Sequence, residues 1–176
     1  MHIVCYAGGT CGDLITALID DRDCTLEQGR IRVGADRSRL KKPHAFSNCQ
    51  QKDAYVASMS GCYSSLPSHD LDYHVGRGHD FIGITVRQPD LAKWAATRFQ
   101  RMHPAHVWQE MMRYCGAESL DQYAQVLLDF SAVISQRTSK TIDLGEILDG
   151  AVIHKLEQLI DRPIDDAFYH DWKQQQ

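Results

Sequence analysis

Residues 1–20 read MHIVCYAGGTCGDLITALID. His2 to Tyr6 is short, apolar and rich in strand-forming residues, and it stops at glycine, so it is expected to form a buried β-strand. From Asp13 to about Asp20, Leu14, Ile15, Leu18 and Ile19 recur on one helical face. Asp13 falls in the first turn of that helix, where the helix dipole favours an acid. Between strand and helix lies a turn of small residues, Ala7 to Gly12. Glycine lets backbone N–H groups approach an anion closely, and a helix N-terminus adds partial positive charge. Gly8, Gly9, Thr10, Cys11 and Gly12 are therefore candidate anion-binding residues. The same residues also suit a tight strand-to-helix turn that binds nothing.

The G-x-x-x-x-G-K-[ST] phosphate loop carries a lysine after its last glycine. Here Ala7 stands at the first glycine, Gly12 at the last, and Asp13 at the lysine. A carboxylate at that position repels phosphate and speaks against ATPase or GTPase chemistry.

Working outward, FIGITV at 81–86 is the clearest further strand, bounded by Asp80 and Arg87. Pro89 then opens a helix with Asp90 in its first turn. Leu91, Trp94, Ala95, Arg98, Phe99 and Met102 recur at three and four until Pro104. Gln50–Ser60, Val107–Tyr114, Leu120–Ile134, Ile147–Ile160 and Asp165–Lys173 are expected as helices, and Thr141–Leu144 as a short strand. Residues 22–46 are rich in Arg and Lys. GRIRVG within them suits a short strand, and the rest a solvated connection. Strands alternating with helices predict a three-layer α/β sandwich with a mainly parallel sheet, as one domain over 1–176. In such sheets ligands bind beyond the C-terminal strand ends. Those ends, AGGTCG, SHD and RQP, are expected on one edge as a single site.

Composition narrows the function. The 176 residues are 43% hydrophobic and 24% charged, with a net charge of −4, which argues against nucleic acid as the partner. No stretch approaches the roughly 20 apolar residues of a membrane helix. No basic-then-apolar leader is evident, so a cytoplasmic setting and reduced thiols are expected for the six scattered cysteines. No cysteine or histidine spacing suggests a metal site.

Two polar groups end the other strands. His69 titrates near neutrality and suits a general base, with Asp70 or Asp72 to orient it; a satisfied polar contact with a neighbouring aspartate is equally consistent. Arg87 suits bidentate grip of a phosphate, or an ion pair with Asp80 or Asp90.

The segment VRQPDLAKWAATRFQRMHP at 86–104 resembles the P-loop sulfotransferase family. There a strand, an Arg-x-Pro step and an aromatic, basic helix bind the cofactor's 3′-phosphate. Arg87, Pro89, Trp94, Phe99, Arg101 and Met102 match that shape. The rest follows in order: a phosphosulfate loop at Tyr6–Gly12, a strand ending at His69, and a late acidic strand, IDLGEIL. The resemblance implies a small bacterial or phage-type enzyme that moves a sulfuryl group from 3′-phosphoadenosine 5′-phosphosulfate to a hydroxyl or amine of a small-molecule or protein acceptor. It gives His69 the catalytic role, the 8–12 turn the phosphosulfate, and Arg87 the 3′-phosphate. The family's helix serine falls at Ala95, leaving Thr97 as its substitute. The family's loop lysine has no counterpart, leaving Arg77, Arg98 or the basic residues of 37–42 to stand in. The family's Arg-Lys-Gly loop has none either. A module on the same fold that binds a nucleotide or a protein without catalysis is the alternative, and a nucleotide or metabolite kinase a weaker one.

Overall fold

The computed structural model describes residues 1–20, 24–27, 30–33, 48–60 and 63–176. The opening stretch forms strand β1 (His2–Cys5), a turn, and helix α1 (Gly12–Asp20). A distinct antiparallel pair, β2 (Cys24–Glu27) and β3 (Arg30–Val33), follows, so GRIRVG does hold a strand. Then come α2 (Cys49–Ser60), β4 (Ser65–Ser68), α3 (Leu71–Gly76), β5 (Phe81–Thr85), α4 (Pro89–Met102), α5 (Ala105–Cys115), α6 (Leu120–Arg137), β6 (Thr141–Asp143), α7 (Leu144–Asp149), α8 (Val152–Ile160) and α9 (Ala167–Gln174). The basic residues at 37–42 lie outside the described residues.

The main sheet runs β4-β1-β5-β6, all parallel. β1 is met first, yet it sits inside the sheet, with β4 on one side and β5 on the other. The order therefore reverses between β1 and β5, the point where such sheets open a crevice at their carboxyl edge. β4 is an edge strand, where Pro67 removes no necessary ladder donor. Its outer backbone is met by Asp20, whose carboxylate accepts from Ser64 N (2.6 Å), Ser65 N (2.9 Å) and Ser65 Oγ (2.8 Å).

Both sheet faces are covered, as in a three-layer α/β sandwich, which is why these strands are apolar without alternation. Val4, Ile82, Ile84 and Ile142 pack with Leu14, Ile15 and Leu18 of α1 and Leu156 of α8. On the opposite face Ile3, Cys5 and Phe81 pack with Leu71 of α3 and Ile134 of α6. Gly83 permits that second layer: a Cβ there would lie 2.2 Å from Ile134 Cγ2. Each buried Leu or Ile contributes about 1.5–3 kcal/mol relative to exposure. Among the described residues no helix is long and apolar enough to cross a membrane.

Two elements depart from the sequence expectation. The helix expected over Ile147–Ile160 is broken, because Gly150 takes a left-handed conformation (φ 106°) and ends α7. α7 begins earlier, at a capping box: Asp143 accepts from Gly145 N, while Glu146 accepts from Asp143 N at 2.7 Å. The short helix α3 was not foreseen; Asp70 caps it by accepting from Tyr73 N (3.3 Å).

A buried polar chain underlies the end of β4. His74, 0% exposed, meets Ser68 Oγ through Nε2 (2.8 Å) and His79 Nδ1 through Nδ1 (3.0 Å). Burial, with the neighbouring His79, lowers the His74 pKa to about 4 from its ordinary 6.5, against the opposing pull of Asp70. Between those values the unfolded chain binds the extra proton, so stability falls as pH drops from about 6.5 to 4. The expected loss is about 2–3 kcal/mol. Urea unfolding at stepped pH checks it, and His74→Gln should flatten the slope over that window.

Candidate functional site

The turn between β1 and α1 is drawn tight. Thr10 donates to the Ala7 carbonyl through both N (3.3 Å) and Oγ1 (2.8 Å). Gly9 and Cys11 have positive φ, 94° and 63°, and for cysteine that conformation is strained. The glycines are there for closeness. A Cβ on Gly9 would lie 2.4 Å from the Ala95 carbonyl oxygen of α4, and one on Gly12 would lie 2.1 Å from the Tyr6 ring. Tyr123 of α6 fastens the turn by donating from its hydroxyl to the Gly8 carbonyl (3.2 Å). Among the described residues no backbone carbonyl accepts from Gly8, Gly9 or Cys11 N–H.

This turn forms one wall of a cavity of about 190 Å³. Gly8, Gly9, Cys11 and Gly12 line it, whereas the Thr10 side chain is buried against Ala7. His69 enters from the end of β4, Arg98, Phe99, Met102 and His103 from α4, and Trp172 from α9. Tyr6, Asp13 and Leu14 complete it, the Tyr6 hydroxyl donating to the Asp13 carboxylate. The cavity thus lies beside the reversal between β1 and β5.

His69 is oriented by a backbone group, not by Asp70 or Asp72. Its Nδ1 lies 2.6 Å from the Tyr6 carbonyl oxygen, and its ring meets the Tyr6 ring edge-on at 4.4 Å. A carbonyl can only accept, so Nδ1 carries the hydrogen and Nε2 is the basic nitrogen of the neutral ring. Asp70 caps α3 and pairs with Lys52.

Arg98 lies over the rings of Trp94 (5.7 Å) and Trp172 (6.0 Å), and its Nε donates to Gln176 Oε1 at 3.0 Å. Its charge pulls the Cys11 thiol down, but burial dominates and pushes that thiol up to about 11. Cys11 is therefore a thiol at neutral pH and a poor nucleophile.

Arg87 and Thr97 do not line the cavity. Arg87 is 64% exposed at its side chain and pairs with Asp143 (3.8 Å), the residue its strand's end meets across β5–β6. Asp80 pairs with Lys140 instead. Thr97 bonds the Lys93 carbonyl of its own helix (2.8 Å). Arg77 is held by both oxygens of Asp53 (3.0 and 2.6 Å). Of the described cations expected to stand in for a loop lysine, Arg98 is the one on the cavity. Two of the three strand ends meet there, and the third does not. Sequence reasoning missed His103 and Trp172. The i, i+4 pairs Arg98–Met102 and Phe99–His103 gave a partial signal for one helix face, and nothing local placed α9 beside it.

Gly9 supplies a direct test of the tight turn. Gly9→Ala combines a left-handed φ with a clash against backbone, so it should destabilise by about 3 kcal/mol or more. Gly78 has φ 65° but open space around it. Gly78→Ala should cost about 1–2 kcal/mol. Chemical denaturation of both variants checks the difference.

No protein-family model, curated protein or solved structure matches the chain, so the functional reading rests on the residues of the cavity.

Proposed function

We propose that the cavity receives a phosphate- or sulfate-bearing group, and that the chain is a sulfotransferase-like protein binding a 3′-phosphoadenosine 5′-phosphosulfate-type donor by its phosphosulfate end. One observation carries the reading: the Arg98 guanidinium shares the cavity with the glycine-turn backbone and with His69. A guanidinium beside backbone N–H groups at a helix N-terminus suits an oxyanion. The residues present fit one end of such a donor. A cavity of 190 Å³ lies below the roughly 300–1,000 Å³ typical of whole-ligand pockets. Arg87 and Thr97 lie off it, so the nucleoside and 3′-phosphate belong outside.

When bound, the donor supplies an activated sulfuryl group. Arg98 and the turn hold its negative charge, as positioning and charge stabilisation dominate transfers of this kind. His69, with Nδ1–H committed to Tyr6, takes the acceptor's proton on Nε2. Phe99 and Tyr123, packed on the turn, exclude water. A binding module without transfer is the second reading, and Asp13 favours it, since a carboxylate stands where the sulfotransferase loop carries its lysine.

A thermal-shift panel of the phosphosulfate donor, adenosine 3′,5′-bisphosphate, ATP and GTP tests the proposal. At 100-fold its dissociation constant the right ligand stabilises by about 2.7 kcal/mol. The first two compounds should raise the melting temperature, and Arg98→Ala should weaken their binding by about 1.5–3 kcal/mol. Stabilisation by ATP or GTP alone, or by none of the four, overturns the proposal. His69→Asn should abolish sulfuryl transfer while sparing binding, which separates the enzyme from the module.

A further inference from the structure

The rings on the cavity wall differ in how far solvent reaches them. Tyr6, Phe99 and Trp172 are buried, at 3%, 7% and 0% exposure. His69 is half-buried, with its ring edge-on to Tyr6. His103 is the exposed ring of the set. It is stacked on Phe99, with centroids 4.1 Å apart and planes 27° from parallel. Phe99 is the buried member of that pair, so solvent meets the pair on the His103 side. Among the described residues no other ring contacts His103. The imidazole is also fixed in its plane: Nδ1 lies 3.0 Å from the Phe99 carbonyl oxygen, which can only accept, so Nδ1 donates. Satisfying a carbonyl of the last helical turn accounts for that hydrogen bond. What it leaves is an aromatic ring already oriented at the mouth of a cavity that holds one end of a larger molecule.

We infer that the outer face of His103 is the stacking platform for the nucleobase of the nucleotide whose anionic group enters beside Arg98. The inference rests on the anion-binding reading above and adds the part of the ligand that the cavity is too small to hold. Imidazole, like phenyl and indole, stacks on nucleobases, and stacking accepts any base, since each has a π-face. Base, imidazole and phenyl then form one three-layer stack. Phe99, its innermost layer, also abuts the glycine turn: a Cβ on Gly8 would lie 2.9 Å from Phe99 Cε2. The residue under the platform is thus the residue against the anion's turn, which ties the two ends of the ligand to one side chain. The ligand class is a nucleotide, in preference to an inorganic anion or a sugar phosphate without a base.

Two readouts test this on the intact protein at one fixed pH, with inorganic sulfate and adenosine 3′,5′-bisphosphate as probes. The first is calorimetric affinity for wild type, His103→Ala, His103→Phe and Arg98→Ala, with melting curves to check that each variant folds. His103→Ala should bind the bisphosphate about tenfold more weakly and sulfate as wild type does. His103→Phe, which keeps a ring and loses the nitrogens, should restore bisphosphate binding. The second readout is the ring C–H spectrum of His103 in wild type, which decides even where a variant fails to fold or sulfate binds too weakly to titrate. Its ring signals should move upfield on saturation with the bisphosphate, as they do under a stacked base, and not with sulfate. If Arg98→Ala weakens both probes while His103→Ala binds the bisphosphate equally and the ring signals stay, the inference is overturned and the anion site stands. Equal weakening of both probes by His103→Ala, or no restoration by His103→Phe, also overturns it, since a contact to the anion would then be the cause. If neither probe binds wild type, the anion reading falls and the inference with it.

Discussion

The bare Cα of Gly9 sits so near the Ala95 carbonyl that a single added carbon would lie 2.4 Å from it. That approach fixes the distance between the end of β1 and helix α4. It requires small residues on both partners, and α4 provides them in Ala92, Ala95 and Ala96, all fully buried. With α4 so close, its next turn delivers Arg98, Phe99 and His103 to the cavity mouth, Phe99 and His103 stacked at 4.1 Å. Tyr123 adds a bond to Gly8 from α6, so α4 and α6 together clamp the turn. The cavity beside it is small, about 190 Å³.

For the oxyanion we propose, charge in this cavity is arranged unusually. Asp13 opens α1 where a phosphate loop carries its lysine, and its carboxylate is engaged by the Tyr6 hydroxyl. The positive charge comes instead from Arg98 on α4, 85 residues after Asp13 in sequence. Arg98 is held between two tryptophans and against Gln176, so its direction depends on the C-terminal helix. In the proposed site Trp94 and Trp172 would act on binding through the guanidinium they hold.

The strands legible in sequence were those with short apolar runs between polar stops, β1, β5 and β6, and the helices α1, α2, α4, α5, α6 and α9 were legible from their periodicity to within a few residues. β4 was legible only at its end, since SLPS carries a proline that is tolerable because the strand is an edge. The break between α7 and α8 was hidden because Ile147, Leu148, Val152 and Leu156 keep a helical period across Gly150. Arg87 illustrates a different blindness. Its neighbours in sequence are Asp80 and Asp90, but parallel register sets Thr85 against Asp143, and the ion pair follows the register. Of the site, the glycine turn and His69 were visible as strand ends. Arg98 was visible as a charge without an address, and Trp172 not at all, because only tertiary packing brings α9 to that edge.

The central claim is that an oxyanion binds between the 8–12 turn and Arg98. Crystals grown with adenosine 3′,5′-bisphosphate or sulfate test it most directly. The account predicts a tetrahedral anion within hydrogen-bonding distance of Gly9, Cys11 or Gly12 N–H and of the Arg98 guanidinium. Ligand density on Arg87 and Asp143 with nothing in the cavity, or a turn still closed on α4 with no anion at saturating concentration, would contradict it.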